Sequence, residues 1–236
     1  MDHDTAGRFL DFFAEDGIAS ESVRLWEGEE IPPLQSYDLM LVLGGAMDVW
    51  QTDTYPWLGA EKAAIHEWVV DRARPYIGLC LGHQLLADAL GGEVGHAETE
   101  EVGVFQIEAT AEGRAHPLFT GIPAQSRVME WHYVEVKRPP DGAIVLASSP
   151  RTCVQAMAVD GHAIGLQFHA EFTPQTVASW QSLPSYIAAL ESALGPGAYA
   201  RLTREALPLM PDMGAMTRRL YDNLMRRGAS RAQTSR

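Results

Sequence analysis

The chain has 236 residues, 46% of them apolar and 21% charged, which suits one large globular domain or a domain with an extension. A net charge of −13 excludes the clustered Lys and Arg of a nucleic-acid surface. Two cysteines exclude a disulfide framework, the start lacks the basic-then-apolar pattern of a signal peptide, and no apolar run approaches the ~20 residues that cross a bilayer, so a cytoplasmic protein without nucleic-acid or membrane partners is expected.

In chain order, Asp4 or Thr5 is placed to cap a helix that carries Phe9, Phe12 and Phe13 on one side and stops at Gly17. "YDLMLVLGG" is a continuous apolar run ending in Gly44-Gly45, the pattern of a strand covered on both faces. Pro56 opens a helix with Leu58, Ile65, Trp68 and Val69 in register, ending before Pro75. "PYIGL" is the next buried strand, and "QLLADAL" is helical up to Gly91-Gly92. This alternation predicts an α/β fold, a mostly parallel sheet with helices on both faces.

The middle of the chain differs. "VGVFQIEAT", "SRVMEWHYVEV" and "AIVLASS" are strand-like. "VQAMAVDGHAIGLQFHAE" is two apolar runs joined at Asp160-Gly161, a hairpin signal, because Gly supplies the positive φ of a type I′ turn. An added antiparallel section follows from these. From Thr173 the pattern is helical, broken at Gly195-Pro196-Gly197, Pro208 and Pro211. The expected division is one domain over residues 1–180, a helical extension of it over 181–227, and a disordered tail over 228–236.

Between two glycines, in Gly78-Leu79-Cys80-Leu81-Gly82, stands Cys80, where a strand gives way to a helix. That is the pattern of a nucleophile elbow, whose sharp turn needs small neighbours. The sulfur then faces the unpaired N–H groups of a helix N-terminus, which favour thiolate by roughly 0.3–2 kcal/mol. A free thiol needs more help than that, so a basic partner is expected.

Eight histidines are available. His3, His66, His96, His116 and His162 lie in helices, loops or a turn with nothing reactive beside them. His83 makes Cys-x-x-His with Cys80, but a metal needs three or four ligands, and no metal is expected. His132 follows Trp131 in a strand and reads either way. His169 ends the strand "AIGLQF" and precedes Glu171 by two positions, and in extended chain i and i+2 share a side. Alone, that pair reads as a surface pair at a strand end. With the elbow it reads as base and orienting acid for Cys80. Oxyanion donors are expected from the N–H of Leu81 and from Gly44-Gly45, where glycine lets the backbone approach the reacting carbonyl.

"LVLGGAMDV", "GLCLGHQLL" and "GLQFHAEFTP" together resemble the class I glutamine amidotransferase family, over residues 2 to 180 or so. "DTYPWLGAEKAAI" and "LASSP" resemble stand-alone members related to the GMP-synthase glutaminase domain. The resemblance implies a flavodoxin-like fold and cofactor-free hydrolysis of a γ-glutamyl amide. It assigns Cys80 as nucleophile, His169 as base and then acid, Glu171 as orienting carboxylate, and Gly45 and Leu81 as oxyanion donors. Gly44, Gln84 and the strand Trp131, His132 and Tyr133 would contact the substrate. Ala46 and Ala170 stand where many relatives carry Pro, and Tyr133 where they carry a small or acidic residue. The family also opens with a buried strand before the segment matching "DHDTAGRFLDFF", so either an earlier native start or the loss of a central strand is expected. Three roles follow: a γ-glutamyl amide hydrolase working alone, an ammonia donor to a separate synthase, or a non-catalytic binding module.

Overall fold

The computed structural model describes residues 5–234, with side chains described through residue 227. Helix α1 (Arg8–Glu15) carries Phe9, Phe12 and Phe13 at i, i+3 and i+4, and all three are buried. Its cap position is Gly7, not Thr5; Asp4 lies outside the described residues. The reason is tertiary. Gly7 holds φ +48°, and a Cβ there would stand 2.1 Å from the carbonyl oxygen of Glu171.

Strand β1 is only Met40–Val42 and, among the described residues, pairs with β2 (Tyr76–Leu79) alone, at the edge of the sheet. The expected strand covered on both faces is therefore a short, half-buried edge strand, because the chain leaves the sheet at Leu43 toward the Gly44-Gly45 turn. Between them run α2 (Trp57–His66), opened by Pro56, and a π turn over Glu67–Asp71. Helix α3 (Leu81–Ala89) leaves β2 through Cys80.

Strand β3 (Glu93–Ala109) pairs antiparallel with β4 (Gln125–Arg138), with the short helix α4 (Ala111–Ala115) between them in the chain. Then come β5 (Ile144–Ser148), β6 (Ala156–Val159) and β7 (Ala163–Leu166). The β6–β7 hairpin turns at Asp160 and Gly161, with φ +48° and +69°, the two positive values a type I′ turn requires. The sheet order is β1-β2-β7-β6-β5-β3-β4. Among the described residues β1, β2 and β7 run parallel and the other pairings are antiparallel, so the α/β, flavodoxin-like class stands with a larger antiparallel share than the sequence suggests.

The chain ends in α5 (Pro174–Ser179), α6 (Pro184–Leu194), α7 (Ala198–Ala206) and α8 (Met210–Thr234). The helix backbone of α8 continues through Thr234 where a disordered tail was expected from 228; residues 235–236 lie outside the described residues. Helices α1 and α8 cover one face of the sheet, where Phe9, Phe12 and Phe13 meet Tyr221 and Leu224 over Ile77 and Leu79. Helices α2 and α3 and the π turn after α2 cover the other face with Leu58, Ile65, Trp68 and Leu85. Helices α5 to α7 pack over β3 and β4 through Val177, Trp180, Leu190 and Leu202.

Candidate active site

The site begins with the turn from β2 into α3. Cys80 caps α3 with φ +50° and ψ −102°, a region that costs a residue with a side chain roughly 1–3 kcal/mol. The flanking glycines make the turn possible. A Cβ on Gly78 would stand 2.5 Å from the carbonyl oxygen of Gly82, and one on Gly82 would stand 2.3 Å from that of Val42. Three hydrogen bonds pin the turn: Cys80 N–H to Leu166 O at 2.8 Å, Gln84 N–H to Cys80 O at 3.1 Å, and Tyr76 Oη–H to Gly82 O at 2.8 Å.

Strand β7 delivers the second group. Beyond Leu166 the chain is held to β4 by the His169 N–H, which donates to Met129 O at 2.8 Å. His169 Nδ1 meets Glu171 Oε1 at 2.7 Å. The side chains of Cys80, His169 and Glu171 are all buried. Burial opposes charge on the imidazole, but the Glu171 carboxylate and then Cys80 outweigh it and hold His169 well above the ordinary imidazole range. Phe172 stacks on the ring at 4.2 Å and 7°, fixing its plane.

Gly44 closes the third side. A Cβ there would stand 3.2 Å from His169 Cε1 and 3.5 Å from Cys80 Cβ, so the backbone of this turn passes directly against both groups. A Cβ on Gly45 would stand 2.9 Å from the Leu81 side chain, which puts this residue over the first turn of α3.

This constellation has relatives. The family model described as glutamine amidotransferase class-I matches residues 13–179. The chain belongs to the class I glutamine amidotransferase family. It is 34% identical over 161 residues to a GMP synthase of Aeropyrum pernix, covering 66% of this chain and 29% of that protein. It thus spans under a third of that relative's length. It is 32% identical over 178 residues to a putative glutamine amidotransferase-like protein of Salmonella typhimurium, covering 74% of each chain. A crystal structure of a glutamine amidotransferase from Thermotoga maritima superposes with a TM-score of 0.85 at 28% identity, covering 95% of this chain and 94% of the other.

The remaining expected residues separate into two groups. Gln84 lies beneath the thiol, donating to Val134 O at 2.8 Å and Gln167 Oε1 at 3.2 Å. The Trp131 carbonyl is 3.8 Å from Cys80 Sγ. His132 and Tyr133 do not join the thiol: Tyr133 is 48% exposed, and the His132 ring is engaged by Glu101 and Val134. His83 also turns away, packed on the backbone of Gly165; burial, then His132, pushes its imidazole down to about 3, so it is neutral.

Four contributors escape a reading by motif. Gln167 places its amide 3.8 Å from Cys80 Sγ, and Phe172 stacks on the His169 ring. Arg8 backs the loop of Glu171 by donating to the Phe172 carbonyl. Glu130 is buried behind the site; burial, then Glu101, pushes its carboxyl well above the usual range despite His169. Glu130 joins Glu101 and His132 in a buried cluster with ligand atoms within 4.8 Å of one another, a spacing that suits a cation. The acceptor positions of Glu101 are already engaged, however, by Ser149 at 3.0 Å, Thr152 at 2.8 Å, Gln155 at 2.7 Å and His132 at 3.2 Å.

Proposed function

We propose that the chain hydrolyses the side-chain amide of glutamine or another γ-glutamyl amide through a thioester on Cys80. One observation carries this reading: His169 is held by Glu171 at 2.7 Å on one nitrogen, and the Gly44 backbone passes against both the same imidazole and Cys80. The cysteine thiolate adds to the amide carbon, and the N–H groups of Leu81 and Gly45 take the oxyanion. Imidazolium His169 gives its proton to the leaving nitrogen, and ammonia or an amine departs, leaving the γ-glutamyl thioester. Water then adds, His169 takes its proton, and glutamate leaves as the thiolate is restored. Glu171 keeps the ring oriented and balances its charge. Gly44, Gln84 and the backbone of Trp131 to Tyr133 line the end that holds the amino-acid part of the substrate.

The whole-chain match to a glutamine amidotransferase of similar length supports a hydrolase that works by itself in the cytoplasm; among the described residues no helix is long and apolar enough to cross a membrane. The second reading is an ammonia donor to a separate synthase. It is favoured by 38% identity over 150 residues to a glutamine-hydrolysing GMP synthase subunit of Saccharolobus solfataricus, covering 61% of this chain and 75% of that one. A diazoketone analogue of glutamine tests the chemistry. It is expected to add once to the protein, at Cys80 by peptide mapping, and not to Cys80→Ser. A wild-type protein left unlabelled would return it to the class of binding modules. A panel of γ-glutamyl amides, assayed with and without a partner synthase, separates the two roles: turnover alone marks the hydrolase, and turnover only with the partner marks the donor.

A further inference from the structure

The segment His169 to Phe172 carries two of the three reacting groups, and its three carbonyls beyond the histidine are all held from outside the region matched by the family model. The Ala170 carbonyl accepts from Thr217 Oγ1 of α8 at 3.0 Å, a proton shared with Met213 O at 2.9 Å. The Glu171 carbonyl accepts from the Arg8 backbone N–H at 3.0 Å. The Phe172 carbonyl accepts from Arg8 Nη2. Arg8 is 8% exposed, and its guanidinium reaches the sulfur of Met210 at 3.8 Å.

Two glycines make room for this arrangement. Gly7 allows the backbone to meet the Glu171 carbonyl without a clash. Gly214 lies inside α8, where glycine costs about 1 kcal/mol relative to alanine. A Cβ there would stand 2.2 Å from Arg8 Nη1. The helix thus accepts an unfavourable residue at the point where the guanidinium passes. We infer that Arg8, seated against Gly214, is a positioning residue: it fixes the Glu171 loop from behind, so that the first and last helices set the geometry of the His169–Glu171 pair. The inference rests on the proposed triad. Burial pushes the guanidinium down, and Glu171, then Asp11, pull it back.

The test uses the full chain and a γ-glutamyl amide that the wild type turns over. Arg8→Met is expected to lower kcat by about tenfold to a hundredfold, the effect of a misplacement of about 1 Å, with KM within about twofold. Arg8→Lys is expected to recover part of that loss. Gly214→Ala decides the matter should Arg8→Met fold poorly. A merely structural glycine would leave kcat unchanged and raise stability, whereas a seat for Arg8 predicts a loss of about threefold or more. Arg218→Met is the control, since Arg218 ties α8 to Glu15 at 2.9 Å and Asp16 at 3.1 Å without touching the triad. It is expected to lower the melting temperature and spare kcat. Wild-type kcat in Gly214→Ala, or in folded Arg8→Met, overturns the inference. A wild type that neither turns over γ-glutamyl amides nor takes the diazoketone at Cys80 overturns the triad reading instead.

Discussion

Two glutamate–histidine pairs lie close together in this fold, and only one belongs to the proposed triad. His169 and Glu171 are 2.7 Å apart; His132 and Glu101 are 3.2 Å apart, and all four side chains are buried. The difference lies in what else each group holds. Glu101 accepts from Ser149, Thr152 and Gln155 as well, and the second nitrogen of His132 is tied to Val134 O at 3.1 Å. That set is closed on itself. In the other pair, Glu171 holds one nitrogen, and the ring lies with the strained Cys80 against the Gly44 backbone, so a proton has somewhere to go. A buried Glu–His contact alone is thus no sign of catalysis; an imidazole set beside a nucleophile is.

Substitution separates the two pairs most sharply at the cysteine. Cys80→Ala is expected to remove turnover, a loss of roughly 10⁴-fold or more in kcat, with the melting temperature little changed. Glu171→Gln leaves the ring in place but withdraws the charge that balances imidazolium, and a loss of roughly 10²- to 10⁴-fold is expected. Steady-state rates on the same γ-glutamyl amide give both figures. Comparable kcat in Glu171→Gln and wild type would dissolve the distinction between the pairs.

Glu101→Gln probes the closed set. It replaces a carboxylate receiving four hydrogen bonds with an amide that must turn donors toward donors, which costs about 3 kcal/mol of stability. Urea unfolding reads the loss. The rate per folded molecule is expected to stay within about threefold of wild type, and a collapse of kcat without a loss of stability would move Glu101 into the catalytic machinery.

How much of this was legible in the chain follows from the range of the forces involved. The elbow was legible because its requirements are local: Gly78 and Gly82 are spaced by the turn itself, and the Asp160-Gly161 hairpin likewise declares its backbone angles. His169 and Glu171 were legible as a pair from their spacing, but not through strand alternation as expected: β7 ends at Leu166, and the two meet across a turn. The cap of α1 was not, because Gly7 answers to the carbonyl of Glu171, far along the chain. The short edge strand β1 was not, since an apolar run says nothing about which side lacks a neighbour. His132 and Tyr133 were expected to contact the substrate through the backbone of their strand; that the His132 ring is engaged by Glu101 on the paired strand and lies near Glu130 two residues back on its own had no local signal. Arg8 and Gly214 carry no local signal, because each makes sense only beside the other.

A third glutamate extends the comparison to a carboxyl with no histidine to share its proton. Glu61, in α2, is pushed up to about 7 by burial. Between its ordinary value of 4.5 and about 7, the folded chain keeps a proton that the unfolded chain has released. Folding therefore weakens as pH rises through that window, the reverse of the behaviour of a carboxylate stabilised by donors, such as Glu101, which is held below the usual range although burial opposes it. Glu61→Gln removes the titration while keeping the shape. Discounted for the partial exposure of the side chain, the gain at pH 8 is expected to be about 1–2 kcal/mol, or roughly 2–8 °C in melting temperature. At pH 3, where both states hold the proton, the variant and wild type should melt together. An equal gain at both pH values would trace the effect to packing or helix propensity, and Glu61 would no longer stand as the unpartnered member of the series.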